Sequence, residues 1–85
     1  MTDEFVRYHV YAKLTCPACK GAIDFLKGRG DKFIVTVMDN DLEKLEQLKA
    51  QYSWNTVPII LGFTKEEEGV LLGGFSDIKQ RFDAE

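Results

Sequence analysis

The chain has 85 residues, 45% of them hydrophobic and 29% charged, with a formal net charge of −3. This is the composition of one globular domain with a single thin core, and it excludes a disordered chain. No lysine or arginine cluster offers a phosphate-binding face and no apolar run approaches ~20 residues, so neither nucleic acid nor a membrane is an expected partner.

Val6 to Ala12 sets Val6, Tyr8 and Val10 against Arg7, His9 and Tyr11 with the period of a first strand. Pro17 then suits the first turn of a helix, where its missing N–H costs nothing. Cys19, Ala22, Ile23 and Leu26 recur at i, i+3, i+4 and i+7 and form one apolar face, and Gly28 and Gly30 end the helix. Phe33 to Met38 is rich in β-branched residues and reads as a second, well-buried strand. A strand–helix–strand order implies a right-handed crossover and a parallel pair.

Asp39-Asn40-Asp41 offers a helix cap, with Glu43 three residues after Asn40 completing a capping box. Leu42, Leu45, Leu48 and Tyr52 mark one side of the second helix. Ile59–Phe63 and Val70–Leu72 are short apolar strands joined by Thr64-Lys65-Glu66-Glu67-Glu68-Gly69, an antiparallel hairpin with a solvated acidic loop. Gly73-Gly74 breaks the chain before a last short helix whose Phe75, Ile78 and Phe82 face inward. The order is βαβαββα, an α/β fold with a mixed sheet and helices on both faces. Residues 1–85 are expected to form a single domain.

The chemistry concentrates at Cys16-Pro17-Ala18-Cys19, which holds the only two cysteines. The first thiol sits at the exposed helix entrance and the second one turn in, on the packed side. A helix N-terminus, with its open N–H groups, favours a thiolate, and Lys13 adds a nearby positive charge. Thr15 is a further donor and acceptor at the turn. A disulfide closing so short a loop adds little stability, so the pair suits reversible electron transfer better than cross-linking. The bland alternatives are two small apolar fillers or two metal ligands; structural zinc takes four, and His9 is the only histidine. His9, Phe25, Phe33, Phe75 and Phe82 read as ordinary strand and core positions.

Thr56-Val57-Pro58 precedes the third strand, where a proline that owes no N–H is unremarkable. Gly73-Gly74-Phe75-Ser76-Asp77 opens the last helix. Ser76 or Asp77 reads there either as a plain N-cap or as part of a helix start whose N–H groups hold a ligand carboxylate while Asp77 pairs with an amine. Met1-Thr2-Asp3-Glu4 lacks the basic start and apolar stretch of a secretion signal, so a cytoplasmic, reducing setting is expected.

Taken together, Lys13-Leu14-Thr15-Cys16-Pro17-Ala18-Cys19, Thr56-Val57-Pro58 and Gly73-Gly74-Phe75-Ser76-Asp77 resemble, in order and separation, the three signature segments of the dithiol glutaredoxins. The resemblance implies a thioredoxin fold with a four-stranded mixed sheet flanked by helices. It further implies a monomer and a cis Val57–Pro58 bond beside the cysteines, with Val57 pairing with the backbone of a substrate cysteine. Glutathione is then the electron-donating cosubstrate, with Lys13, Thr15, Thr56, Val57, Pro58, Gly74, Ser76 and Asp77 around it and no bound cofactor. Substrates are protein disulfides, ribonucleotide reductase among them, and glutathione mixed disulfides. Proline after the first cysteine is typical of members without an iron–sulfur cluster, so no metal is expected. Two departures stand out: Ala18 replaces the aromatic residue usual in the family, and Trp54-Asn55 occupies the place of a basic residue before Thr-Val-Pro. Trp54 is a candidate to supply the missing aromatic contact. A glutaredoxin-like redoxin recharged by thioredoxin reductase is the alternative reading.

Overall fold

Strand–helix alternation early in the chain and a hairpin late in it fix the topology of the computed structural model, which describes residues 5–83. The elements are β1 (Arg7–Ala12), α1 (Pro17–Arg29), β2 (Phe33–Val37), α2 (Leu42–Tyr52), β3 (Ile59–Phe63), β4 (Gly69–Gly73) and α3 (Phe75–Asp83). They build the expected mixed sheet, in the order β2-β1-β3-β4. β1 runs parallel to β2 and antiparallel to β3, and β3 pairs with β4 antiparallel.

The period-two pattern of β1 divides the core between the two faces of the sheet. Tyr8, Val10 and Ala12 pack under Cys19, Ala22 and Leu26 of α1 and Ile78 and Phe82 of α3. Phe25, Phe33 and Phe75 close around that cluster, the core role expected of them. On the other face Tyr11 joins Met38, Leu45, Leu48 and Ile59 beneath α2. His9 is a strand residue whose Nε2 lies 2.6 Å from Thr36 Oγ1 and whose ring stacks on Tyr11. Glu66, Glu67 and Glu68 are exposed at the hairpin, where Glu67 pairs with Arg7 at 2.7 Å.

Three local expectations change. The second strand is not well buried: Ile34 is 60% exposed, Val35 37% and Val37 45%. β2 lies at the sheet edge with β1 as its one strand neighbour among the described residues, so its β-branched run is covered on one side alone. The cap of α2 is Asp41, whose carboxylate accepts from the Lys44 N–H at 3.3 Å; the helix thus starts one residue later than an Asn40–Glu43 capping box requires, and Leu42 is exposed. Gly28 lies inside α1, and Gly30 alone ends it, in the left-handed region (φ 79°) with its N–H on the Leu26 and Lys27 carbonyls.

These burials set a contrast. Leu26→Ala opens a cavity in the main core and lowers unfolding free energy by about 2–5 kcal/mol, whereas Ile34→Ala, on the same fold but at an exposed edge, changes it by no more than about 0.5 kcal/mol. Urea denaturation midpoints of the two variants check both figures.

Candidate active site

Cys16 ends an extended segment (φ −99°, ψ 112°) as the N-cap of α1. Its carbonyl accepts the N–H groups of Cys19 at 3.1 Å and Lys20 at 3.2 Å, and its Sγ accepts the Cys19 N–H at 3.2 Å. The sulfur thus stands where a capping oxygen normally stands, facing a backbone donor whose contact strengthens when its acceptor is anionic. Pro17 takes the first helical position, so no N–H is wasted there. The loop before the helix is pinned at two points: the Cys16 N–H donates to the Lys13 carbonyl at 3.3 Å, and the Leu14 N–H donates to Asp39 Oδ1 at 2.9 Å. In the sequence Asp39 reads as part of the cap of the second helix; its hold on this loop follows instead from β1 and β2 ending side by side.

The two thiols are free and unequal. Cys16 is half-buried, and Cys19 is 2% exposed on the packed face of α1. Burial pushes the Cys19 thiol up to about 12, and its hydrogen bond with Cys16 adds to the rise. Cys19 is therefore protonated at neutral pH, while Cys16 guards the opening.

From across the chain, β3 brings the Thr-Val-Pro segment to this spot. The Val57–Pro58 peptide bond is cis, and the Val57 carbonyl oxygen lies 3.7 Å from Cys16 Sγ, which donates to it as a thiol. Pro58 is buried behind it. Gly74 comes next to Pro58: the Pro58 carbonyl oxygen, Asp77 Oδ2 and Trp54 Cζ2 lie 3.6–3.8 Å from the point a Cβ would occupy. Gly73, at φ +112°, is the glycine the turn itself demands, with the Asp77 carboxyl filling the space a side chain would need.

Cys16, Cys19, Val57, Pro58 and Gly74 are thus contiguous, and Lys13 joins the cysteines in a cleft of about 180 Å³ whose walls include Leu14, Ile23, Val35 and Val37. Thr15 and Thr56 are exposed on the flanking loops. Ser76 is also exposed and lines a different depression, with Lys79, Gln80 and Asp83 along the outer side of α3. Neither Ser76 nor Asp77 is the N-cap of α3. Gly74 precedes the helix and accepts the Ile78 N–H at 3.2 Å, and Asp77, in the first turn, reaches back to the Gly74 N–H at 2.9 Å. That is the second half of a capping box made by an aspartate. Trp54 packs on the Met38–Leu45–Ile59 cluster with its Nε1 buried and unpartnered. Its ring borders Gly74, while Ala18 is exposed on the first turn of α1.

The family model for Glutaredoxin matches residues 9–62, from β1 through the cysteines and the cis-proline to the end of β3. The chain belongs to the glutaredoxin family. Its members are thiol–disulfide oxidoreductases acting on disulfide substrates, and this chain is one. No curated protein matches by sequence. Among solved structures it is similar to the dithiolic glutaredoxin 2-C-Grx1 of Trypanosoma brucei brucei, with 28% identity, TM-score 0.73, and 91% of this chain and 77% of that one covered. It shares the fold of glutaredoxin C1 from Populus tremula x tremuloides, at 20% identity, TM-score 0.76, and 95% and 71% coverage. It likewise shares the fold of the glutaredoxin-like NrdH-redoxin of Escherichia coli, at 24% identity, TM-score 0.68, and 88% and 92% coverage. These matches fix the thioredoxin fold with its four-stranded mixed sheet. Among the described residues no helix is long and apolar enough to cross a membrane.

The buried thiol makes stability depend on pH in a stated direction. With the folded value of Cys19 raised to about 12 above an unfolded value of about 8.5, its contribution is complete below about pH 8.5 and is lost as pH rises toward 12. In reductant, wild type should lose stability relative to Cys19→Ala by up to about 1.4 kcal/mol per pH unit above pH 9. Parallel urea titrations at pH 8, 9 and 10 read the difference directly.

Proposed function

We propose that the chain is a cytoplasmic, glutathione-dependent dithiol oxidoreductase, acting as one domain, that reduces protein disulfides, ribonucleotide reductase among them, and glutathione mixed disulfides. The observation that carries this reading is the unequal pair: a half-buried sulfur at the mouth of α1, 3.7 Å from the Val57 carbonyl, and a buried protonated thiol one turn behind it.

The chemistry balances in four exchanges. The Cys16 thiolate attacks one sulfur of a substrate disulfide, forming a mixed disulfide and releasing the other half as a thiolate. Cys19 gives its proton to that departing thiolate and attacks Cys16, closing the Cys16–Cys19 bond and freeing the second substrate thiol. A glutathione thiolate then opens that bond at Cys16, and Cys19 takes a proton back. A second glutathione attacks the resulting mixed disulfide, leaving oxidised glutathione and restoring the Cys16 thiolate. Per turn one disulfide is reduced and two glutathiones are oxidised.

In this reading the Val57 N–H and C=O pair with the backbone of the incoming cysteine as an added strand does. The open N–H groups at the start of α3 receive the glutathione α-carboxylate beside Gly74 and Ser76. Asp77 receives the α-amine, although its Oδ2 already holds the Gly74 N–H. Lys13, Thr15, Thr56 and Pro58 border the γ-glutamyl-cysteinyl body, and Trp54 closes the Gly74 side in place of the aromatic residue missing at Ala18. Two observations favour the redoxin alternative: Ser76 lies in a separate depression and Asp77 is partly engaged by its own helix, which loosens the glutathione subsite. In that alternative thioredoxin reductase supplies the electrons.

Two variants separate the roles. Cys16→Ser should drop activity to background on every disulfide, since it removes the attacking sulfur. Cys19→Ser should lose reduction of an intramolecular protein disulfide yet keep activity on a glutathione mixed disulfide, which needs one thiol. Coupled NADPH oxidation with glutathione and glutathione reductase, run beside thioredoxin reductase, measures both variants and names the reductant. Equal loss in both variants on both substrates would refute the division of labour.

A further inference from the structure

The turn that presents the attacking sulfur has little side-chain packing to hold it. Leu14, Thr15, Pro17 and Ala18 are all exposed, Leu14 at 77%. Its backbone is tied instead, by the Cys16 N–H on the Lys13 carbonyl at 3.3 Å and by the Leu14 N–H on Asp39 Oδ1 at 2.9 Å. The second tie is shorter and ends on a carboxylate, which makes it the stronger of the two.

The sheet brings Asp39 to this turn. β1 and β2 run parallel with Ala12 beside Val37, so two residues further on Leu14 meets Asp39. Of the three consecutive Asx residues, Asp41 caps α2 and Asn40 is exposed, while half-buried Asp39 faces the loop of Cys16. Among the described residues its second oxygen, Oδ2, takes no hydrogen bond and no ion pair, so no partner cancels its charge. That charge reaches the second thiol. Burial chiefly opposes ionisation of Cys19, and the Cys16 thiol and the Asp39 carboxylate add to the opposition. Lys13 and Lys20 line the same cleft as the two thiols, and the Tyr8 phenol lies in the core cluster of Cys19. β3 and α3 meet that cluster with Ile60, Ile78 and Phe82, which carry no charge.

We propose that Asp39 is a positioning residue for disulfide exchange: its Oδ1 holds the Lys13–Cys16 turn so that Cys16 is presented for attack, and its negative charge slows the second, resolving attack by Cys19. The two effects are separable, because the hydrogen bond needs only an oxygen and the delay needs a charge. This role rests on Cys16 attacking and Cys19 resolving, and it supplies what keeps them in that order. Presentation speeds capture of a substrate disulfide, and the delay lengthens the life of the mixed disulfide that follows.

The test mixes reduced chain with dithiobis-nitrobenzoate in a stopped flow, without glutathione, so that the identity of the reductant plays no part. The Cys16 thiolate attacks one sulfur of the reagent and releases one thionitrobenzoate. Cys19 then loses its proton, attacks Cys16 and releases the second as the Cys16–Cys19 bond closes. Varying the reagent concentration separates the two releases, since only the first is bimolecular. Asp39→Ala should slow the first release about tenfold at pH 7, the scale of a displacement well below 1 Å. Asp39→Asn, which keeps an oxygen for the Leu14 N–H, should stay within about twofold of wild type. Both variants lose the charge, so in both the pH profile of the second release should move down by about half a unit. A merely structural aspartate would slow both releases and leave that profile in place. Asp39→Ala attacking at the wild-type rate, Asp39→Asn failing as Asp39→Ala does, or a profile that moves in neither variant overturns the proposal. If Asp39→Ala folds poorly, Asp39→Asn still decides, since it must keep the first rate and move the second profile. Wild type that releases no thionitrobenzoate, or a single equivalent, would instead overturn the reading beneath the proposal.

Discussion

The apolar stripe Cys19–Ala22–Leu26, buried against Tyr8, Val10 and Ala12, is the contact from which the site follows. It sets the rotation of α1 about its own axis. With the stripe turned inward, the residue three before Cys19 falls at the rim of the helix, so one thiol opens to the surface and the other is sealed. A rotation of one residue would bury Cys16 or expose Cys19, and the two sulfurs would lose their separate characters. The same packing fixes where the first turn points, with the Cys19 N–H on the Cys16 sulfur and the Cys19 and Lys20 N–H groups on the Cys16 carbonyl. Chemistry at this site is thus a consequence of core packing carried one helical turn outward.

The sheet supplies the rest by bringing distant segments to the same corner. The loop after β1 carries Cys16, the turn after β2 lends Asp39 to hold that loop, and Pro58 immediately precedes β3. Strands that start or stop at one end of a sheet place their loops together, so residues 41 apart in sequence meet at a sulfur–carbonyl distance of 3.7 Å. The opening of α3 joins through Gly74, which sits against Pro58 and Trp54. Its own start is held by Asp77, so this side chain builds the helix before it serves any ligand.

Much of this was legible from residue order alone. The i, i+3, i+4, i+7 spacing from Cys19 located α1 and told its two cysteines apart, because helical period is a local property. The alternation in β1 and the hairpin around Glu66–Glu68 were legible for the same reason. The exposure of β2 was not: Phe-Ile-Val-Thr-Val reads alike in the centre of a sheet and at its edge, and only the order β2-β1-β3-β4 decides. Three consecutive Asx residues at 39–41 hid which one caps α2, since each side chain reaches a backbone N–H equally well from its own position. Asp39 anchoring Leu14, and Val35 and Val37 facing the cysteines, are meetings between elements and leave no trace in local pattern.

The central claim is that folding makes two chemically identical side chains unequal, and site-resolved alkylation tests it most directly. Reduced protein treated briefly with iodoacetamide at pH 8 and mapped by peptide mass should carry a single adduct, on Cys16, with Cys19 labelled only after denaturation. Comparable labelling of both cysteines in the folded chain, or modification of Cys19 first, would contradict the account.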